Sequence, residues 1–442
     1  MDPRPQKLRV ALWIMGLGTL FALLWHGWQG WVMGRGYPDN AYLYLRQSLF
    51  TDWTGVVEIS RLPAPYAEQF AFYFPATYLL FQPFVWMGEQ PSLWLYLSVV
   101  VIGTLAVQMH VLRGIVHGPK KRLLASLLLA ASSYAFVVCV ARANVELGMA
   151  LLTGWALLLC RRLHFGAAAV LLAIPVVLKL YPILLLALFL RRRHLRYIVV
   201  PALACLLVSG LALLTFSGSI AGNLALWQRN MTQYNFLYMI ADRGLSGSAS
   251  PWNALKIGFL TADYFRVFNL HLVPLSNGDH YSLFFLPLSH LYNDTFLGLL
   301  SGAVLFATFV EREFFRRAIL FFLFLAICAQ AGADYKLLWV HVALVVLIVL
   351  PRRRRLDLAA VTLMALVLVP KKEIYLTYLG RTDTTYNDVS FGVLVDPILI
   401  CAAIILVTMD GWRERLPGGA VHRFKALAHQ LMDFMPGFRR GR

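Results

Sequence analysis

A few residues of this sequence carry chemistry in settings where chemistry is rare. Asp39 follows a proline at the end of the first long apolar stretch, in Gly36-Tyr37-Pro38-Asp39-Asn40-Ala41-Tyr42. A carboxylate fixed by that turn can act as a general base or a cation ligand, with Tyr42 three residues on. The same spacing also suits Asp39 as the N-cap of a helix over 40–49, and spacing alone leaves both readings open. Arg142, Lys179 and Lys336 are cations at the ends of apolar runs, where they could meet the phosphate of a lipid or snorkel to headgroups. Lys179 fits snorkelling least, because Lys179-Leu180-Tyr181-Pro182 puts it at a helix break. Glu146, one turn past Arg142, offers that arginine an internal salt bridge, which would make Arg142 and Asn144 structural. Asp334 stands beside Tyr335 and Lys336, close enough to pair with Lys336 or to orient a sugar hydroxyl. A further stretch mixes aromatics with polar residues, among them Trp227, Tyr234, Asn235, Asp242, Arg243, Ser246, Ser248, Ser250, Trp252 and Asn253. These suit sugar stacking and hydrogen bonding, and an interfacial aromatic belt equally well. Two glycosylation sequons begin at Asn230 and Asn293, a pattern that arises often by chance.

The elements that position these residues belong to a membrane. Of 442 residues, 59% are hydrophobic and 14% charged, against about 25% charged in soluble domains. A soluble enzyme, a disordered chain and a collagen-like repeat are excluded. The formal charge of +18 needs no nucleic acid, because most Lys and Arg fall in clusters at 4–9, 113–122, 161–162, 191–196, 312–317, 352–355 and 412–442, which the positive-inside rule places in the cytoplasm. The five cysteines, Cys139, Cys160, Cys205, Cys328 and Cys401, have neither the spacing of a zinc site nor that of a disulfide framework. No GxxxxGK[ST], GxSxG or HExxH motif occurs, so nucleotide-cradling, serine-hydrolase and zinc-protease chemistry have no support.

With the clusters held on one side, each apolar run takes a direction. Leu8 to Met33 is an uncleaved first span. Phe72 to Met87, short and holding Pro75 and Pro83, is a non-spanning or re-entrant segment within a large outer loop, 34–91. Leu93 to Leu112, Leu123 to Ala141 and Val145 to Cys160 cross in turn. Leu163 to Leu190 forms a hairpin of two short helices with its apex at Lys179–Pro182, and Tyr197 to Phe216 exits. After an outer segment, 217–290, crossings follow at 291–310, 318–333, 337–350, 356–369 and 391–409. The sequence thus predicts an all-α polytopic membrane protein of about twelve crossings. Its modules are 1–216, 217–411 and a basic cytoplasmic tail, 412–442, with an amphipathic helix over 421–434. Both termini lie inside, and the unusual polar residues gather on the outer, periplasmic or extracellular, face of the cell membrane.

The ordered set of an Asp after span 1, a Tyr-x-Pro element (Tyr73-Phe74-Pro75), ARANVELGMALL, VVLKLYPILLLALFLRRR and ADYKLLW resembles glycosyltransferase family 87, polytopic enzymes of the GT-C class. The resemblance covers roughly residues 10 to 350. Where the family usually carries Arg-Gly-Asn, this chain has Arg142-Ala143-Asn144, and where the family has a double proline it has Pro75-Ala76. The resemblance implies an inverting transfer of a sugar, mannose above all, from a polyprenyl-phosphate donor to a glycolipid or glycan acceptor, with membrane lipids as surroundings. It implies Asp39 as general base, Lys179, Arg142 and Lys336 as donor-phosphate ligands, and Tyr42, Asn144, Tyr181 and Asp334 as substrate-orienting residues. No metal or other cofactor is expected when cations offset the phosphate. Two other readings compete. A transporter or flippase of lipid-linked saccharides would need mid-membrane polar residues and related halves, and neither shows in the sequence. A non-catalytic lipid-binding envelope subunit would keep the basic residues and tolerate loss of Asp39.

Overall fold

A computed structural model describes residues 2–36, 49–69, 71–192, 196–272, 278–328, 334–351, 355–371, 374–379 and 389–413. Asp39, Tyr42 and the tail helix expected over 421–434 lie outside the described residues.

The named elements of the described residues are all helices, and an isolated antiparallel bridge joins Tyr375 to Ser390. Helix α1 (Arg4–Trp31) is followed by α2 (Thr51–Ser60), the six-residue helices α3 (Pro75–Leu80) and α4 (Gln82–Met87), and α5 (Glu89–Val111). Next come α6 (Pro119–Ala131), α7 (Tyr134–Arg142), α8 (Glu146–Arg161) and α9 (Phe165–Leu178), then a 3-10 run, Tyr181–Arg192. Helices α10 (Arg196–Thr215), α11 (Ile220–Asn235), α12 (Gly244–Gly247), α13 (Pro251–Tyr264) and α14 (Gly278–Leu305) lead to α15 (Phe314–Ile327), α16 (Leu338–Val349), α17 (Asp357–Val367) and α18 (Phe391–Arg413).

Five of these are long and apolar enough to cross a membrane: α1, α5 with its 3-10 extension, α10, the stretch Leu283–Val310 and α18. The protein is therefore a membrane protein by helix length and composition. Length alone gives five crossings, or six with the bent α6–α7 pair, where charge alternation predicts about twelve. The difference lies in α8, α9 and α15 to α17, which have 11 to 16 residues, fewer than the ~20 of a straight crossing.

Three expected elements differ from the structure. The run Leu123 to Ala141 is a pair of helices meeting at 76°. Ser133 leaves the helical region and its hydroxyl accepts from the Phe136 amide, starting α7 afresh, while Ser132 Oγ turns back to the Leu128 carbonyl at 2.5 Å. The span placed at Leu291 begins eight residues earlier, at Leu283, in a helix that starts at Gly278, with Pro287 tolerated inside it. The second arm of the 163–190 hairpin is 3-10 rather than α, although the break falls at Lys179 as Pro182 requires.

The main core centres on α15 and α16, with Ala318 to Ile327 buried without interruption. At one end of α16, Lys7 Nζ bonds Asp357 at 2.7 Å and the Leu347 and Leu350 carbonyls, and Arg316 bonds the other oxygen of Asp357 at 2.7 Å. That cluster ties α1, α15 and α17 together. A second, smaller core gathers Trp252, Ile257, Leu260 and Phe285 with Val389 and Val393.

A candidate lipid-phosphate site at the α7–α8 turn

The opposite end of α16 holds the predicted polar residues. Helix α7 ends at Arg142 and α8 begins at Glu146, and the reversal between them passes through Ala143 at φ +48°. The Asn144 amide is thereby returned to the Cys139 carbonyl at 2.9 Å, and the Asn144 side chain accepts from the Glu146 amide at 2.9 Å. Tyr96 of α5 clamps the same turn, donating to the Asn144 carbonyl at 2.6 Å and accepting from the Gly148 amide.

Two carboxylates organise what surrounds the turn. The first, Asp52, lies in the opening turn of α2, whose start is pinned by the Phe50 amide on the Ala141 carbonyl at 2.8 Å and by Trp53 stacked on Tyr96. Arg142 approaches it two-pronged, Nε at 2.8 Å and Nη2 at 2.5 Å, and Asn144 Nδ2 donates to it at 2.6 Å. An acid at a helix start facing a cation at a helix end satisfies both macrodipoles. The second, Glu146, is fully buried. It accepts from Lys179 Nζ at 3.0 Å, from the Tyr181 hydroxyl, and from Trp339 Nε1 at 3.1 Å.

Lys179 reaches Glu146 because α9 stops at an extended Lys179. The carbonyl freed at Leu178 is taken by Thr77 Oγ1 of α3 at 2.7 Å, which answers the need of a broken helix end for donors. The Lys179 ammonium lies 5.2 Å from the centre of the Tyr73 ring and 4.9 Å from that of Tyr335.

Lys336 sits in the 3-10 turn Asp334–Leu337 before α16, with its ammonium 4.5 Å from the centre of the Tyr181 ring. It is buried, and among the described residues no carboxylate bonds it. Burial pushes its pKa below the ordinary lysine value. Asp334 is buried in the same turn.

Of the residues singled out from sequence, Arg142, Asn144, Lys179, Tyr181 and Lys336 thus converge. The bond expected between Arg142 and Glu146 is replaced: Glu146 turns to Lys179 because Ala143 reverses the chain between α7 and α8, and Arg142 turns to Asp52. Sequence reasoning missed Asp52 and Trp339. The polar aromatic stretch, which suits a sugar platform and an aromatic belt equally well in the sequence, is in part neither. Trp252, Asn253, Ser248 and Ser250 are buried, with Ser250 capping α13 and Trp252 Nε1 donating to the Met239 carbonyl at 2.6 Å, so they are core and cap rather than a sugar platform. Asn230 is no glycan acceptor, since its amide donates to the carbonyls of Tyr66, Glu68 and Ala71. Among the described residues, no three His, Cys, Asp or Glu side chains gather to hold a metal.

The family model for glycosyltransferase family 87 matches residues 70–331, which include Arg142, Asn144, Glu146, Lys179 and Tyr181. No curated protein and no solved structure matches the chain.

Proposed function

Because this chain belongs to glycosyltransferase family 87, we propose that it transfers a hexosyl group, mannose first among candidates, from a polyprenyl-phosphate donor to a glycolipid or glycan acceptor. The observation that carries the donor assignment is the convergence of Arg142, Lys179 and Lys336 on one turn. Arg142 and Lys179 are each matched by a carboxylate at 2.5 Å and 3.0 Å. Lys336 rests on the Tyr181 ring. A buried cation that no carboxylate bonds among the described residues is suited to an incoming phosphate, and the two paired cations hold fixed positions beside it.

In this reading the acceptor hydroxyl attacks the anomeric carbon, Asp39 takes its proton, and the bond from that carbon to the phosphate oxygen breaks with inversion. The leaving polyprenyl phosphate gains charge as the bond breaks, and Lys336, together with Lys179 and Arg142, stabilises that charge. Asn144 and Tyr181 position the cations through Asp52 and Glu146, while Tyr42 and Asp334 orient the sugars. The charge distribution supports chemistry on the outer face with both termini in the cytoplasm. Metal and other cofactors have no role in this scheme.

The test is transfer of radiolabelled mannose from polyprenyl-phosphate-mannose to extracted membrane lipids, with the parent enzyme and a folded Asp39→Asn variant in detergent. Product with the parent and none with the variant is expected. Equal activity would remove Asp39 as the base. No product from any lipid-phosphate sugar would overturn the transferase reading.

A further inference from the structure

A cleft of roughly 380 Å³ runs between α5, α8 and α16, within the size range of small-ligand sites. Its wall on α8 extends from Leu147 to Arg161, about 21 Å at the α-helical rise. The charged end lies at Arg4, Arg161 and Glu313, where Arg4 bonds Asp2 at 2.7 Å and Glu313 bonds Arg316 at 3.1 Å. Phe136, Leu147 and Leu338 line the deep end.

Two polar side chains lining the cleft stand toward that deep end. His341 follows Leu338 by one turn of α16, and its ring centre is 6.1 Å from that of Phe136. Gln108 of α5 bonds it, Nε2 to Nε2, at 2.8 Å. Past the pair, Val342, Val345, Val346 and Val349 of α16 line the cleft with Leu157 and Leu158 of α8. From His341 to Val349 this apolar stretch is about 12 Å long, and it separates the pair from Arg161.

The bond between Gln108 and His341 does not satisfy either side chain. Both are more than nine-tenths buried, and Gln108 Oε1 and His341 Nδ1 have no hydrogen-bond partner among the described residues. With the amide donating to the ring, Nδ1 carries the proton and Oε1 is an open acceptor. With the amide flipped, its NH2 is an open donor and Nδ1 an open acceptor. Either way the pair leaves one donor and one acceptor unused, and buried polar atoms in that state are rare in folded proteins.

The occupant that matches this order has an apolar chain for the valine wall and one small polar group for the pair. An alkane offers the pair nothing. An ester accepts but does not donate, and a phosphate or carboxylate at the pair would bury a charge a wall's length from Arg161. A hydroxyl both gives and takes a hydrogen bond, so it suits either atom in either orientation of the amide.

We propose that this cleft binds a neutral long-chain alcohol, with its hydroxyl at Gln108 and His341 and its chain lying along α16 toward Arg161. The site is distinct from the turn that gathers Arg142, Lys179 and Lys336, and it does not rest on the transferase reading.

The test uses the full chain in detergent, delipidated and then incubated with radiolabelled hexadecanol, hexadecane or hexadecyl phosphate, with retained label counted after gel filtration. One hexadecanol per chain is expected, favoured about tenfold over hexadecane by one or two neutral hydrogen bonds, and favoured over hexadecyl phosphate. Gln108→Leu combined with His341→Leu removes the bond and both unpartnered atoms together, so it should melt no lower than the parent and retain hexadecanol and hexadecane equally. Ala150→Phe, on the α8 wall of the cleft, leaves the pair in place and should abolish retention by filling the space. Equal retention of hexadecanol and hexadecane by the parent would overturn the proposal, and so would stronger retention of hexadecyl phosphate, which would seat a charged head at Arg161. An undiminished preference for hexadecanol in the double variant, or undiminished retention in Ala150→Phe, would overturn it as well. If the double variant melts far below the parent, Ala150→Phe alone decides.

Discussion

Asp52 receives both prongs of Arg142, 90 residues away in the chain, at 2.8 and 2.5 Å. The pair is partly exposed, 15% for the acid and 22% for the arginine, and Asn144 completes the carboxylate's shell. Asp52→Asn keeps the shape but removes the charge that orients Arg142. A loss of about 1–3 kcal/mol is expected for one charge-assisted contact, or roughly 5- to 150-fold in kcat/KM if it all appears in the transition state. A double-mutant cycle with Arg142→Lys checks it. The double variant should lose much less than the sum of the singles, because lysine cannot reproduce the two-pronged geometry. Additive losses would mean that the two residues act separately.

Glu146 and Lys179 make a different prediction, because Glu146 has no exposure at all. Removing one member of a buried ion pair leaves the other uncompensated, at a cost of about 3–5 kcal/mol. Glu146→Gln should therefore lower the melting temperature in detergent sharply. Glu146→Gln combined with Lys179→Met should recover most of that loss and still be inactive. If the double variant melts as low as Glu146→Gln alone, the bonds of Glu146 to Tyr181 and Trp339 hold the site together rather than the ion pair.

The chain reveals some of this and conceals the rest for physical reasons. The break at Lys179 is legible because Pro182 forbids a continuous helix and leaves its mark in four adjacent residues. The turn at 142–144 is legible only as polar residues between apolar runs. That Asp52 closes on it is not, since an acid two residues into a helix has the local look of a first-turn carboxylate, and nothing nearby names a partner 90 residues on. The bend at Ser132-Ser133 hides for a related reason: serines occur within straight helices, and only the cap on Phe136 shows which course the chain takes. Trp252 and Ser250 are ambiguous in the sequence because capped, buried helices and sugar platforms use the same residue types.

Lys336 gives a prediction in pH. Burial lowers its pKa, so the charged form, the one that binds phosphate, is lost as pH rises through a value below the ordinary lysine range. An alkaline fall in kcat/KM is expected there, and Lys336→Arg should move it out of range because arginine stays charged. For folding the sign is opposite: a depressed lysine pKa costs stability as pH falls from the unfolded value to the folded one, and that cost persists below. Lys336→Met should therefore melt no lower than the parent at neutral pH while its transfer activity falls. A drop in melting temperature equal to that of Glu146→Gln would make Lys336 a structural cation.

Ala143 supplies the last prediction. It is buried at φ +48°, a left-handed conformation that costs a residue with a Cβ about 1–2 kcal/mol, and it stands where the family usually has glycine. Glycine removes that strain but loses about 0.5–1 kcal/mol of chain entropy on folding. Ala143→Gly should thus be neutral or more stable by up to about 1 kcal/mol, with the contacts of Arg142 and Asn144 to Asp52 intact and activity retained. Valine at the same position cannot adopt the turn without moving its neighbours. Ala143→Val should displace Asn144 from both Asp52 and the Glu146 amide, lowering melting temperature and activity together. Thermal melting with the mannosyl-transfer assay on the two variants checks this, and an active, stable Ala143→Val would show that the left-handed turn is not what positions the two carboxylates.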